Sequence, residues 1–257
     1  MRVGLCLSGG GARGSFHIGV LRALEENGIR PEIISGTSAG ALIGSLYSAG
    51  LDVSRMLDIA THTRWYHFLG PHIPDSGLIP PDYLEKLLVE NLPVQQFEDL
   101  LIPFICTASN MDTGELHYFE NGNLVPPIIA SCAIPIVFKP VTIGNARFLD
   151  GGILMNLPCS AIRSRCDLLI ASNVIPSYTL PPGIPTSYSN IMTRVLELSI
   201  INTMQSQIPL ADLLIEDARI NQYSRFNLRN ALQLYELGYD AAISQLNKFK
   251  LSAIKDH

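Results

Sequence analysis

Apolar residues in this chain fall into two alternating rhythms. Short, nearly unbroken apolar runs occur at 2–8, 31–35, 101–109, 167–175 and 211–215. Their length and lack of alternation predict strands buried on both faces. Between them the apolar residues recur at helical spacing. After the first run, His17, Val20, Leu21 and Leu24 share one face, Glu25, Glu26 and Asn27 close the pattern, and Gly28 suits the position after a helix end. After the second run comes a helix of small residues, 39–49, closed by Gly50. Residues 52–63 carry an apolar face of Val53, Met56, Leu57 and Ala60, and residues 81–91 one of Tyr83, Leu84, Leu87 and Leu88. Further helices are predicted at 126–133, 189–207 and 227–249, the last with Leu228, Leu232, Tyr235, Tyr239 and Ile243 on one side. A turn at 112–115 leads to a strand at 116–119 that pairs back, and a hairpin at 142–149 delivers Asp150-Gly151-Gly152. Residues 176–188 are proline-rich and read as a surface loop. This alternation of strand and helix, without a repeat or a linker, predicts one α/β domain over 1–257 with a mainly parallel sheet.

Composition narrows the range of functions. The chain is 47% hydrophobic and 16% charged, ample for a sizeable core and unlike a disordered segment. A net charge of −5, with no cluster of lysine or arginine, argues against a nucleic-acid partner and against attraction to strongly anionic membranes. The first apolar run breaks into glycines too soon for a signal peptide, and no run of eighteen apolar residues predicts a transmembrane segment. The five cysteines are dispersed, which reads as reduced, packed thiols in a cytoplasmic protein. His62, His67 and His72 lie five apart, on different faces of any helix, so no metal site is expected.

Three glycine-bearing stretches hold the candidate chemistry. The first is Gly36-Thr37-Ser38-Ala39-Gly40, between a predicted strand and a predicted helix. A serine at such a turn is a nucleophile elbow, with its hydroxyl held clear of the backbone. The competing reading is an ordinary helix start capped by Thr37 or Ser38. The second is Gly9-Gly10-Gly11-Ala12-Arg13-Gly14, which also follows a strand and opens a helix. It has the spacing of a dinucleotide loop, but the next strand ends in Ser35-Gly36 where an acid for the ribose is wanted. It can equally be a tight turn without ligand. The reading that fits better is a set of converging N–H groups at a helix terminus, an oxyanion hole. The third is Asp150-Gly151-Gly152, an acid at a strand end or a plain Asp-Gly turn. The aromatic, proline-broken stretch 64–80 could be a lid or an interfacial patch, although a loop pinned by its aromatics is favoured.

Taken in order, the three stretches resemble the signature set of the patatin-like phospholipases. Residues 131–140 (Ser131-Cys132-Ala133-Ile134-Pro135-Ile136-Val137-Phe138-Lys139-Pro140), Asn156-Leu157-Pro158, and weaker features at 211–215 and 237–242 extend the resemblance over nearly the whole chain. It implies a three-layer α/β/α fold and a Ser–Asp dyad with Ser38 as nucleophile and Asp150 as its partner. It further implies an oxyanion hole from the backbone of Gly9, Gly10 and Gly11 with the N–H of Ala39, and the elbow glycines Gly36 and Gly40. The implied substrates are acyl esters of lipids, namely phospholipids, lysophospholipids or acylglycerols, and no cofactor is called for. Ile136 stands where relatives commonly have glycine. Arg13 reads as an anchor of the loop rather than a phosphate ligand, with Gly14 beside it as loop support. His17 lies on the apolar face of its helix and reads as a satisfied core histidine. The loop holding Trp65, Tyr66, Phe68 and Leu69 is the candidate for peripheral membrane contact. The alternatives are a dinucleotide-binding oxidoreductase using the 9–14 loop and a non-catalytic α/β binding protein.

Overall fold

Val3–Leu7 form the first strand, β1, and all five residues are buried. A strand without an exposed face must be covered by helices on both sides. The computed structural model describes residues 1–62, 82–135, 137–178, 187–225 and 227–255. The aromatic segment with Trp65 and Leu69, Ile136 and most of the proline-rich loop lie outside them.

The sequence elements follow in the expected order. After β1 come α1 (Ser15–Glu26), β2 (Ile33–Thr37), α2 (Ala39–Ser48), α3 (Val53–His62) and α4 (Asp82–Asn91). Next are β3 (Phe104–Asn110), β4 (Leu116–Phe119), α5 (Val125–Ser131), β5 (Val141–Ile143) and β6 (Ala146–Asp150). The chain closes with β7 (Leu168–Ser172), α6 (Tyr188–Met204), β8 (Leu213–Ile215) and α7 (Ala231–Lys255). Gly28 and Gly50 sit just past α1 and α2 with φ of 69° and 88°, as helix-ending glycines do.

Paired strands run β5-β6-β3-β2-β1-β7-β8, with β4 also on β3. Four neighbouring pairs, β3 with β2, β2 with β1, β1 with β7, and β7 with β8, are parallel. The result is a mainly parallel central sheet flanked by helices, the α/β class that the pattern predicts.

One detail of register positions the chemistry. On β3, Cys106 and Thr107 pair with β2 on one edge and with β4 on the other. One residue later, Ala108 pairs with His117 of β4 and with Asp150 of β6. A strand has only two edges, so β6 takes over the edge that β2 vacates. Thr37 ends β2 opposite Thr107, and Asp150 ends β6 opposite Ala108. The two strand ends therefore meet head to head, with Ser38 in between.

Helices α1 and α7 approach closely through two glycines. A side chain on Gly19 would strike the Tyr235 carbonyl, and one on Gly238 would strike the Phe16 carbonyl. This contact sets the rotation of α7. Its buried stripe is Leu234, Leu237, Ala241, Ala242 and Leu246, while Leu232 is 48% exposed. The stripe expected from sequence is met in part: Tyr235, Tyr239 and Ile243 are half-buried against the core, while Leu232 faces outward and the closest backbone contact is at Gly238. Among the described residues, no helix is long and apolar enough to cross a membrane.

Candidate active site

Ser38 lies between β2 and α2 with φ 53° and ψ −122°. Among the described residues it is the only non-glycine with positive φ. Such a conformation costs about 1–3 kcal/mol and persists only where surrounding structure enforces it. Three contacts enforce it here. The Ser38 N–H donates to Ser131 Oγ at 2.8 Å. Thr37 Oγ1 donates to the Met155 carbonyl at 2.9 Å and therefore accepts from Thr107 Oγ1 at 2.6 Å. A side chain on Gly36 would meet the Gly40 carbonyl, and one on Gly40 the Leu7 carbonyl. Only glycines admit so tight a turn. Neither Thr37 nor Ser38 caps α2: the Thr37 hydroxyl is committed to Met155, and Ser38 makes no side-chain cap bond.

Ser38 and Asp150 line the same cleft, close enough that the Ser38 hydroxyl favours the charged form of the Asp150 carboxyl. Both residues are buried, at 5% and 7% exposure. The Gly152 N–H donates to Asp150 Oδ1 at 2.7 Å, and the Asp150 N–H donates to the Ala133 carbonyl at 2.9 Å. Burial pushes the Asp150 carboxyl up to about 6, against the opposing pull of the Ser38 hydroxyl and the Gly152 N–H.

The glycine loop faces this pair, and its N–H groups are not equivalent. Gly9 donates to the Asn156 carbonyl at 3.0 Å, and Ala12 donates to the Arg225 carbonyl at 2.8 Å. The N–H groups of Gly10 and Gly11 have no partner among the described residues, and neither does that of Ala39 in the first turn of α2. Gly11 has φ 59°, and a side chain there would meet the Arg225 carbonyl. Gly10, Gly11, Ser38, Asp150, Asn156 and Arg225 line one cleft of about 50 Å³. Its remaining walls are apolar: Ile134, Pro135, Ile153, Ile175, and Leu196 and Ile200 of α6.

Arg13 is buried, and its guanidinium is spent on acceptors in distant segments. Nε donates to the Tyr223 carbonyl at 2.9 Å, and one terminal nitrogen donates to Asn221 Oδ1 at 3.2 Å and the Val174 carbonyl at 3.3 Å. Burial and the nearby Arg225 lower it to about 10, which leaves it charged at neutral pH. Gly14 packs against Ala39 at the start of α2.

His17 stands apart from the cleft. Its Nε2 lies 2.9 Å from the Ser8 carbonyl, which can only accept, so Nε2 carries the proton. Nδ1 then accepts from Ser172 Oγ at 2.8 Å. Burial lowers the ring to about 4, so it is neutral at physiological pH. The carboxyl end of β2, where a dinucleotide's ribose acid would stand, is occupied by Thr37 and Ser38.

Sequence reasoning missed three contributors. Ser131, Asn156 and Arg225 bind the elbow or the glycine loop from 93, 147 and 213 positions away. The first two lie within segments that carry the resemblance, but no local pattern reveals a hydrogen bond over such separations.

A strained serine turn beside a buried acid, at the carboxyl edge of a parallel sheet, defines a class of α/β proteins built around an elbow. Residues 5–162 match the family model described as patatin-like phospholipase, and the chain belongs to that family. It is 26% identical over 280 residues to the lysophospholipase nte1 of Emericella nidulans, covering 96% of this chain and 18% of that protein. It is 32% identical over 201 residues to an uncharacterized NTE family protein of Mycobacterium bovis, covering 75% of this chain and 56% of that one. The chain therefore corresponds to about half or less of these relatives' length. Among solved structures it resembles VipD from Legionella pneumophila, with a TM-score of 0.56 at 14% identity, over 96% of this chain and 67% of that one. That likeness speaks to fold.

Proposed function

We propose that this chain is a lipid acyl hydrolase that cleaves carboxylic esters of phospholipids, lysophospholipids or acylglycerols through Ser38 and Asp150. The observation that carries the proposal is that the Ser38 hydroxyl shares a cleft with a buried carboxylate titrating at about 6, whose charged form it favours. An aspartate in water, at about 3.9, is too weak a base for a serine. At about 6 it remains ionised at neutral pH and holds a proton more readily.

In the proposed reaction Asp150 takes the hydroxyl proton as Ser38 Oγ attacks the ester carbonyl. The carbonyl oxygen becomes an oxyanion and accepts hydrogen bonds from the free N–H groups of Gly10, Gly11 and Ala39. Gly9, committed to Asn156, shapes the loop rather than donating. Collapse of the tetrahedral species breaks the ester C–O bond, and Asp150 returns the proton to the leaving alcohol. Water, deprotonated by Asp150, then releases the fatty acid from Ser38. Arg13 anchors the loop that holds the donors.

Membership of the patatin-like phospholipase family and similarity to a lysophospholipase support this reading. Peripheral contact with a lipid surface belongs to it, although the aromatic residues Trp65 to Leu69 lie outside the described residues. The test is turnover of a panel of lysophospholipid, phospholipid and monoacylglycerol by wild type, Ser38→Ala and Asp150→Asn. Hydrolysis of at least one substrate that both variants abolish supports the proposal. Turnover that survives Ser38→Ala in a folded sample would refute it.

A further inference from the structure

We infer that the outward face of α6 is a docking surface for a zwitterionic lipid aggregate, from which substrate passes into the cleft. This inference rests on the lipid-ester reading of the site. Tyr188, Ile191, Val195 and Leu198 recur at steps of three and four residues, so they form one stripe along the helix. They are 81%, 48%, 55% and 50% exposed. Among the described residues no other helix or strand exposes more than one large apolar side chain. From Tyr188 to Leu198 the stripe is about 15 Å long at 1.5 Å per residue. Leu154, also exposed, follows the Gly151–Ile153 turn, which packs against α6. Contiguous apolar surface of this kind marks an interaction site.

Two observations select lipid as the occupant. First, the surface is continuous with the cleft: Leu196 and Ile200, on the other side of the same helix, line the cavity that holds Ser38 and Asp150. A lipid leaving an aggregate beneath α6 has one helix diameter to travel. Second, the stripe carries no charge. Arg194 and Glu197, which lie between its members in sequence, pair with each other at 3.2 Å. Glu197 also pairs with Arg225 and accepts from Tyr178 Oη at 2.8 Å, while Arg194 lies 4.8 Å over the Tyr178 ring. One carboxylate, Glu197, holds both guanidiniums, Arg194 and Arg225, away from the stripe. The outer face thus suits a neutral surface entered by apolar side chains, not an anionic one held by lysines.

The test compares wild type with the triple variant Ile191→Gln, Val195→Gln, Leu198→Gln, and with Val195→Gln alone. All three side chains are exposed, so the substitutions leave the core intact, and a thermal melt checks this. Co-sedimentation with phosphatidylcholine vesicles is measured at low and high salt. Wild type is expected to bind to a similar extent at both, and the triple variant at least about tenfold more weakly, with the single variant between them. Hydrolysis of lysophospholipid presented in those vesicles falls in parallel, while hydrolysis of a soluble short-chain nitrophenyl ester does not change. Vesicle binding that survives the triple substitution overturns the inference. So does a dimer of wild type that the substitutions dissociate without altering vesicle binding, because the face then joins two copies. If wild type fails to turn over the soluble ester, the acyl hydrolase reading fails, and vesicle binding still decides the surface.

Discussion

Two buried polar clusters lie at neighbouring strand ends, and they are built to opposite rules. At the ends of β1 and β7, His17 donates to Ser8 and accepts from Ser172, and Ser8 Oγ accepts from the Val174 N–H at 2.9 Å. Both ring nitrogens are used, and the imidazole stays neutral. At the ends of β2 and β6, Ser38 and Asp150 face one cleft, while the N–H groups of Gly10, Gly11 and Ala39 have no partner among the described residues. A closed cluster holds strands together; an open one has donors left for a ligand. The family of residues is similar in both, but the difference in satisfaction separates structure from chemistry.

The sharpest way to break the comparison is to remove the open pair. Ser38→Ala and Asp150→Asn should each lower kcat by about 10⁴-fold or more. Asp150→Asn should at the same time raise stability. A carboxyl that titrates at about 6 in the fold rather than 3.8 favours its protonated form, so the stability it lends is present below pH 3.8 and lost as pH rises through 6. At neutral pH its ionisation costs about 3 kcal/mol, part of which the amide recovers. Calorimetry of the two variants at pH 7 checks this, and a lower Tm for Asp150→Asn would count against a buried, charged base.

Next in size is the donor loop. Gly11→Ala places a methyl against the Arg225 carbonyl at positive φ, displacing one N–H. A loss of about 10²-fold in kcat with little change in KM is expected, as for a lost oxyanion donor. An equal rise in KM instead would make Gly11 a ground-state contact.

The closed cluster should respond in stability rather than rate. His17→Gln is expected to cost about 1–3 kcal/mol and to leave kcat within about tenfold. The ring titrates at about 4 in the fold against 6.5 in solution, so its contribution is full above pH 6.5 and is lost as pH falls towards 4. Urea titrations between pH 4 and 7 should therefore show a shallower acid limb in the variant. Smaller still is Arg13→Lys, which loses the forked contacts to Asn221, Val174 and Tyr223 and should cost about 1–2 kcal/mol, with a proportionate loss of rate.

Much of this was legible in the chain. Buried strands announce themselves as unbroken apolar runs, and the elbow, the glycine loop and Asp150 each carry glycines where backbone meets backbone. What periodicity cannot express is who meets whom. That β6 inherits the β2 edge of β3 follows from pairings between residues far apart in the chain, Thr37 with Thr107 and Ala108 with Asp150. That Gly9 spends its N–H on Asn156, while Gly10 does not, depends on a loop closed from the far side. On α7 Leu232 faces outward although it outranks Gly238 in hydrophobicity, because the tightest contact is made by the residue with no side chain. The stripe on α6 was missed because a helix apolar on both faces shows no amphipathic contrast.

The central claim is that Ser38 is activated by Asp150 without a histidine. Fluorophosphonate labelling of wild type, Asp150→Asn and His17→Gln, with the adduct located by mass spectrometry, tests it most directly. The account predicts an adduct on Ser38 that forms at wild-type rate in His17→Gln and far more slowly in Asp150→Asn. Labelling of folded His17→Gln as slow as that of Asp150→Asn would contradict it.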